Sequence, residues 1–495
     1  MTEDRRVVVI GSGPSGAMAA RALTIKGIPV TLLESGCVFP GGLLVRLTGR
    51  NVVRRRPRLK SPTRHVSSDD VGALWSHDLV PGGLSNHWTG AVPRFAPEDF
   101  HEGERLHERY RWPVQYEEIE PYYDQAERIL GVVADPRSAL GLPRSRVIHA
   151  SHLPRPWQRV ATSAESFGQG LTPLPLAEGA PWMVRRSATA FNSYHQIVRR
   201  LQGSPGFELR LGAHALRLES CGSKRRVDAI IYYDRIARCE RRLPCAAVVV
   251  AAGPLSSTKL LLDSACPDFP DGLGDVEGIL GRYLHDHAHD MCLIDLDNSL
   301  PRLGHPAYLT RAPYHESQPL LAASCTLGAR HSRADRLLTL LPTKSRTFGV
   351  IIFGTMVPTE HNCVRLHPEV KDEFGFPVLD LHIRYSDEIH RNTLAARDRL
   401  LAILGSAGYR GTVRWSLPQL TPGSSVHYGG TVRMHGSPKY GMLDGWNRLH
   451  AVGNVVVTDA SCFTTGVEKN PTLTVMALAL RAGTRLAEDL KQNRR

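Results

Sequence analysis

The sequence predicts an α/β fold in two parts: a Rossmann-like dinucleotide-binding domain, and a second α+β domain built on an antiparallel sheet. Three observations predict it. Gly11, Gly13 and Gly16 make a G-x-G-x-x-G between the β-branched run Val7–Ile10 and an Ala-rich stretch. Residues 455–458 are another short apolar strand, and Asn470-Pro471 beyond it opens a long stretch with helical spacing. Between these ends, residues 350–386 ("VIIFGTMVPTEHNCVRLHPEVKDEFGFPVLDLHIRYS") alternate as the strands of a half-buried sheet do.

The N-terminal unit reads element by element. Val7–Ile10 is a buried strand. Gly11 permits a tight turn, Gly13 admits a pyrophosphate, and Gly16 lets helix and strand pack closely. The helix over 14–26 turns its N-terminus toward the phosphates, and Gly27 ends it. A second buried strand over 29–33 runs into Glu34, 23 residues beyond Gly11, where a carboxylate accepts hydrogen bonds from a ribose. An acid there selects an unphosphorylated ribose, so FAD or NAD over NADP.

Residues 81–90, "PGGLSNHWTG", then set His87 and Trp88 in a glycine-rich loop. The adjacent Gly82 and Gly83 indicate backbone lying close against another group. Residues 206–220 and 226–253 read as strands with turns. At the far end, Asn470 is a favoured N-cap and Pro471 suits the first helical position. Leu473, Met476, Ala477, Leu480, Gly483 and Leu486 keep helical spacing behind it.

Composition narrows the function classes. Hydrophobic content of 42% and charged content of 22% are those of an ordinary globular protein. No apolar run approaches the ~20 residues that cross a bilayer. The start, "MTEDRRVVVIG", is a poor signal peptide, and the fingerprint explains the apolar run after Arg5-Arg6 better than a twin-arginine signal does; the expected compartment is cytoplasmic. Nine cysteines without regular spacing exclude a disulfide framework, and Cys239 with Cys245 lacks the second pair a zinc site needs. The net charge is +13, but the basic residues are spread along the chain, so nucleic acid is not expected as a partner. Residues 50–65 carry seven Lys/Arg in sixteen and read as a solvated loop. "HDHAHD" (285–290) could hold zinc on one strand face, yet no metal is expected.

Taken in order, the motifs resemble the glucose–methanol–choline (GMC) oxidoreductases, flavoenzymes that oxidise alcohols with FAD. The resemblance rests on the fingerprint, the Gly82-Gly83 loop, "AAVVVAAGPLSSTKLLLDSA" (246–265) and "LGRYLHDH" (280–287). It rests further on "HYGGTVRM" (427–434) leading into "NPTLT" (470–474). It spans residues 6 to about 490 with a sparse middle. The loop "GGLSNHWT" is similar to the GG-x-S-x-H-W-T of pyranose-oxidase-like and glycoside-oxidase members.

The resemblance implies a discontinuous FAD-binding domain over 1–100, 205–290 and 420–495, with a substrate-binding domain over 101–204 and 291–419. Cofactor contacts are implied for Gly11, Gly13, Gly16, Glu34, Gly82, Gly83, Ser85, Asn86, His87, Ala252, Gly253, Asp459, Ala460, Pro471 and Thr472. His427 and Asn470 fall on the pair that faces the flavin N5. Histidine takes the hydroxyl proton at neutral pH, asparagine orients the hydroxyl, and the hydride passes to the flavin. In several members a histidine five residues after the first glycine of the pair is bonded covalently to the flavin. His87 stands at that spacing from Gly82, with a packing or hydrogen-bonding role as the alternative.

No catalytic role is implied for His285, His287 or His435; the first two read as packing or hydrogen-bonding groups near the FAD domain. Glu360 reads as a solvated carboxylate, the flavin face being its other option. The implied substrate is a small-molecule alcohol: a sugar, a polyol, or a glycosylated or aminoglycoside-type natural product. Oxygen or another redox partner would accept the electrons. Amine or C–C oxidation is a competing activity, and a flavin-fold binding protein without turnover is another. The acceptor and the oligomeric state stay open at this level.

Overall fold

Two sheets of different kind organise the chain. The computed structural model describes residues 6–37, 65–67, 79–177, 191–220, 225–301, 303–314, 319–328, 344–419, 423 and 425–492. The basic run over 50–65 lies outside them except for the backbone of His65, which begins a short strand.

The first sheet has five parallel strands in the order Val455–Val457, Ala247–Val250, Val7–Ile10, Val30–Glu34 and Phe207–Leu211. Its central strands are β-branched and buried on both faces, as a parallel sheet flanked by helices requires. The first helix, Pro14–Ile25, packs on the C-terminal helix, Thr472–Gln492. The helix Tyr116–Leu130 covers that C-terminal helix from the other side. Tyr123 Oη and Thr474 Oγ1 share a hydrogen bond of 2.8 Å there, and Arg481 pairs with Glu118 at 2.7 Å.

The second sheet has six strands, antiparallel throughout, in the order Gly411–Gln419, Ala288–Pro301, Lys344–Gly354, Ala323–Leu327, Ala307–Leu309 and Leu171–Pro173. Alternation gives it two unlike faces. Cys292, Ile294, Val350, Ile352, Cys325 and Leu327 form the dry face, against the helices Arg155–Ser166 and Asp387–Ser406. The intervening residues His289, Phe353 and Ser324, in one cross-strand row, point the other way. They meet the segments that carry His427 and Asn470: Phe353 lies 5.3 Å, centroid to centroid, from His427, and Ser324 Oγ donates to the Glu468 carbonyl at 3.2 Å.

Among the described residues no helix is long and apolar enough to cross a membrane.

Candidate active site

The dinucleotide cradle is built from backbone and from missing side chains. A Cβ on Gly16 would lie 2.0 Å from the Gly11 carbonyl oxygen, and one on Gly11 2.4 Å from that of Ala251. Those two glycines are closed by protein. Gly13 differs, for a Cβ there meets nothing within 4 Å. The open space sits at the start of the first helix, where the first-turn N–H groups lack intrahelical partners. A pyrophosphate fits that chemistry, so these residues suit FAD. Glu34 is buried; its Oε2 accepts from the Ser12 backbone N–H at 3.1 Å and its Oε1 from Gly36 N–H at 2.7 Å.

Ser12 joins the cradle to the second glycine loop. Its hydroxyl donates to Glu34 and accepts the Gly82 N–H at 2.9 Å. Gly82 and Gly83 have φ of +95° and +51°, left-handed values that glycine adopts freely. The turn they make lays Gly83 beside Gly13. Ser85 and Asn86 turn inward and brace this loop: Ser85 Oγ donates to the Gly82 carbonyl at 2.6 Å, and Asn86 Nδ2 to the Pro81 and Gly83 carbonyls at 3.1 and 2.7 Å. Asn192 Nδ2 donates to Asn86 Oδ1 at 2.9 Å, and Ser193 Oγ to the Ser12 carbonyl at 2.9 Å. His87 and Trp88 follow, half-buried, with Trp88 Nε1 donating to the Phe191 carbonyl at 3.0 Å.

Asp459 ties together the remaining residues expected at the cofactor. Its carboxylate accepts from Gly253 N–H at 3.1 Å, from Ser461 N–H at 3.0 Å, and from the Ser257 hydroxyl. Burial nevertheless pushes its carboxyl above the ordinary range. Ala252 and Ala460 stand half-buried at the ends of neighbouring strands, as do Pro471 and Thr472 at the mouth of the C-terminal helix.

The titratable centre joins segments far apart in sequence. Asn470 Nδ2 lies 3.2 Å from His427 Nε2. His427 Nδ1 lies 3.0 Å from His287 Nδ1, and His287 Nε2 lies 2.6 Å from the Val467 carbonyl oxygen. Asp286 fixes the backbone beneath: it accepts from His427 N–H and Gly423 N–H, both at 2.9 Å, and from the Ser425 hydroxyl. Burial, then the neighbouring His287 and His289, hold the His427 imidazole well below its ordinary value. Burial likewise carries His287 down to about 4, and pushes the Asp286 carboxyl up to about 6 against its hydrogen bonds. The pair His427–Asn470 therefore presents an uncharged imidazole beside an amide, suited to taking a proton from a hydroxyl group.

The segment before Asn470 is locked by buried charge. Lys469 Nζ bridges Asp99 at 2.8 Å and Glu468 at 2.7 Å, with Arg311 Nε 3.4 Å from Asp99. Burial pushes Asp99 up, but Lys469 and Arg311 outweigh it and hold the carboxyl below the usual range.

One sequence expectation needs correction and another needs sharpening. Asn470 is not the N-cap of the C-terminal helix, which begins at Thr472; its amide nitrogen turns to His427 instead. His287, expected to pack or hydrogen-bond near the FAD domain, does hydrogen-bond, but its partner is His427 itself. Its signal lay in the run "LHDH", where two histidines flank the aspartate that anchors the His427 backbone. His285 does pack: a Cβ on Gly429, Gly430 or Gly466 would come within 2.6 to 2.8 Å of its ring. Glu360 is exposed in a turn. No cluster of metal-ligating side chains occurs among the described residues.

Comparison with known proteins agrees with this architecture. Residues 358–479 match the family model described as GMC oxidoreductase. The chain is 29% identical to 6'''-hydroxyparomomycin C oxidase of Streptomyces lividus, covering 99% of this chain and 92% of that one. It is 28% identical to 2-methyl-1,2-propanediol dehydrogenase of Mycolicibacterium austroafricanum, covering 96% and 94%. The fold is similar to the crystal structure of pyridoxine 4-oxidase from Mesorbium loti, with a TM-score of 0.66 at 19% identity over 97% of this chain and 98% of that one. The glycine cradle and the His427–Asn470 pair thus stand in one molecule whose residues 358–479 match the GMC oxidoreductase model and whose length is similar throughout to a propanediol dehydrogenase and a hydroxyparomomycin oxidase.

Proposed function

We propose that this enzyme oxidises a CH–OH group of a sugar, a polyol, or a glycosylated or aminoglycoside-type natural product, with His427 as the base. The observation that carries the reading is the contact of 3.2 Å between His427 Nε2 and Asn470 Nδ2. FAD, when bound, supplies the hydride acceptor. His427 Nε2 takes the hydroxyl proton, and the Asn470 amide holds the hydroxyl oxygen in line with that nitrogen. The sheet face bearing His289, Phe353 and Ser324 closes the site and keeps water from it. The named relatives support the substrate class, one being a propanediol dehydrogenase and another a paromomycin-type oxidase.

The reading extends to the cofactor: Gly11, Gly13, Gly16, Glu34, Ala252 and Gly253 hold its nucleotide part, and His87 bonds its flavin through an imidazole nitrogen. The bracing of the 81–87 turn by Ser12, Asn192 and Ser193 supports a fixed position for His87. Acid precipitation checks the bond. Yellow colour in the pellet is the expected result, and colour released to the supernatant overturns it.

The activity is tested by mixing oxidised enzyme anaerobically with a panel of sugars, glycosides, polyols and amines while following flavin absorbance. Bleaching by at least one alcohol is expected. Bleaching by amines alone, or by nothing in the panel, overturns the proposal. Re-admitting oxygen then shows whether oxygen is the acceptor.

A further inference from the structure

We infer that His287 is a positioning residue that sets the tautomer of His427, leaving its Nε2 bare toward Asn470 and the substrate. The inference rests on the reading of His427 as the base and adds which nitrogen carries the proton and what keeps it there.

The assignment follows from donors and acceptors alone. A peptide carbonyl only accepts, so the contact of 2.6 Å from the Val467 oxygen puts the proton of His287 on Nε2. A neutral imidazole has one N–H, so His287 Nδ1 is a bare acceptor. His427 Nδ1, 3.0 Å away, must then donate to it. Its own single N–H being at Nδ1, His427 has its lone pair at Nε2. An amide nitrogen only donates, and Asn470 Nδ2 at 3.2 Å points at that lone pair. The three contacts admit one consistent set of proton positions for two neutral rings.

Both rings are held neutral by their surroundings. The groups facing the pair are His289, His285, Asp286, Tyr385 and Asn470. The carboxylate among them, Asp286, bonds the His427 backbone N–H and the Ser425 hydroxyl, not the ring. This chain thus orients its base with a second imidazole anchored on a backbone carbonyl. The segment 467–470 grips the relay at both ends, through the Val467 carbonyl and the Asn470 amide.

A consequence follows for the proton. When a substrate hydroxyl gives its proton to His427 Nε2, the Nδ1–H bond to His287 becomes charge-assisted. His287 cannot pass the charge onward, because its far N–H faces a carbonyl that holds no proton. The proton leaves by the Nε2 edge at which it arrived.

Without His287 the balance reverses. The Nδ1–H of His427 would be buried without a partner, while Asn470 can turn its amide oxygen to accept from a proton on Nε2. That tautomer has no lone pair for the substrate.

The test compares His287→Phe, which keeps the ring volume, with His287→Asn, whose Oδ1 can stand in for Nδ1. In holoenzyme labelled with 15N-histidine, two-bond proton–nitrogen spectra report which His427 nitrogen is protonated, the His427→Ala spectrum providing the assignment. Expected are a bare Nε2 in wild type and His287→Asn, and a protonated Nε2 in His287→Phe. The rate of flavin reduction at saturating substrate should fall by about 10²-fold in His287→Phe, with a displaced acid limb in its pH profile, against the ~10⁴ known for a fully inverted catalytic tautomer. His287→Asn should recover to within about tenfold of wild type.

A proton on Nε2 in wild type overturns the inference, whatever the variants do. So does a His287→Phe enzyme with wild-type tautomer, rate and pH profile. Should His287→Phe not fold, the wild-type and His287→Asn spectra decide. If His427→Ala turns over at the wild-type rate, the base reading itself falls; if His427→Ala is inactive while His287→Phe is normal, the tautomer inference alone falls.

Discussion

The cradle around Gly13 and the centre around His427 lie in one molecule but are built on opposite terms. The cradle consists of backbone, helix N-terminus and absent side chains, and its working glycines fall within six positions of one another, from 11 to 16. The His427 centre consists of side chains brought in from 286–287, 353, 427 and 467–470. A cradle of that kind fails by steric intrusion. The imidazole centre fails by losing one nitrogen or by gaining one proton. The two regions should therefore answer differently to substitution and to pH.

The largest effect is expected at the imidazole centre. His427→Ala removes the proposed proton acceptor but leaves the cradle intact. Flavin reduction by the best alcohol should slow by about 10²- to 10⁴-fold while the enzyme still binds FAD. Stopped-flow absorbance and the flavin-to-protein ratio check both halves. A large loss of FAD together with rate would break the separation of the two regions.

The next effect divides the cradle itself. Gly16→Ala drives a methyl to 2.0 Å from a backbone oxygen, so something must move. A loss on the order of 3 kcal/mol is expected in the cofactor-free protein, at the upper end for an overpacked site. Gly13→Ala adds the same methyl in open space and should leave the cofactor-free melting curve unchanged. It should weaken FAD roughly 10- to 100-fold by obstructing charge-assisted bonds to the phosphates. Equal destabilisation of the cofactor-free protein by both substitutions would show that Gly13 is closed by protein after all.

The same contrast explains what was legible in the sequence. Gly11, Gly13, Gly16 and Glu34 announce themselves because strand, turn and helix are local, and the spacing alone encodes the geometry. The parallel sheet followed from runs such as Val7–Ile10 for the same reason. His427 and Asn470 were found through motif resemblance, not spacing, since 43 residues separate them. His287 was missed as a partner because nothing local distinguishes it from His285 two residues earlier. One packs among glycines and the other bonds His427, a difference made entirely by tertiary contacts. Asn470 was misread as an N-cap because local preference was outweighed by a tertiary hydrogen bond. Ser85 and Asn86 were expected at the cofactor, and their side chains also brace the loop. A loop motif carries no statement of which way a polar side chain turns.

Acid should separate the regions more gently. His285 and His287 are buried and His427 is half-buried, all with values lowered from the ordinary 6.5. Where a folded-state value is lowered, the unfolded chain binds more protons, so stability is full above about pH 6.5 and falls as pH drops below it. Each such histidine contributes a slope of about 1.4 kcal/mol per pH unit in that window. Asp286, pushed up to about 6, works in the opposite sense and offsets part of the loss below pH 6. Urea unfolding between pH 7.5 and 6 should show stability declining with acid, and His285→Phe or His287→Phe should flatten the decline. A flat wild-type profile would mean that these imidazoles reach solvent.

The smallest expected effect falls where cradle and glycine loop meet, at Ser12. Its hydroxyl is fully buried, donates to Glu34 and accepts the Gly82 N–H at 2.9 Å. Ser12→Ala removes both bonds at once. Glu34 keeps the Ser12 and Gly36 backbone donors, so its carboxylate is not stranded. The Gly82 N–H is left buried and without its partner, which costs roughly 1–3 kcal/mol. That penalty should appear as a lower urea midpoint of the cofactor-free protein. It should also loosen the 81–87 turn, so the fraction of flavin retained by the acid-precipitated pellet should drop while alcohol-driven bleaching persists. An unchanged midpoint with an unchanged pellet would show that Asn192 and Ser193 brace the loop without help from the fingerprint.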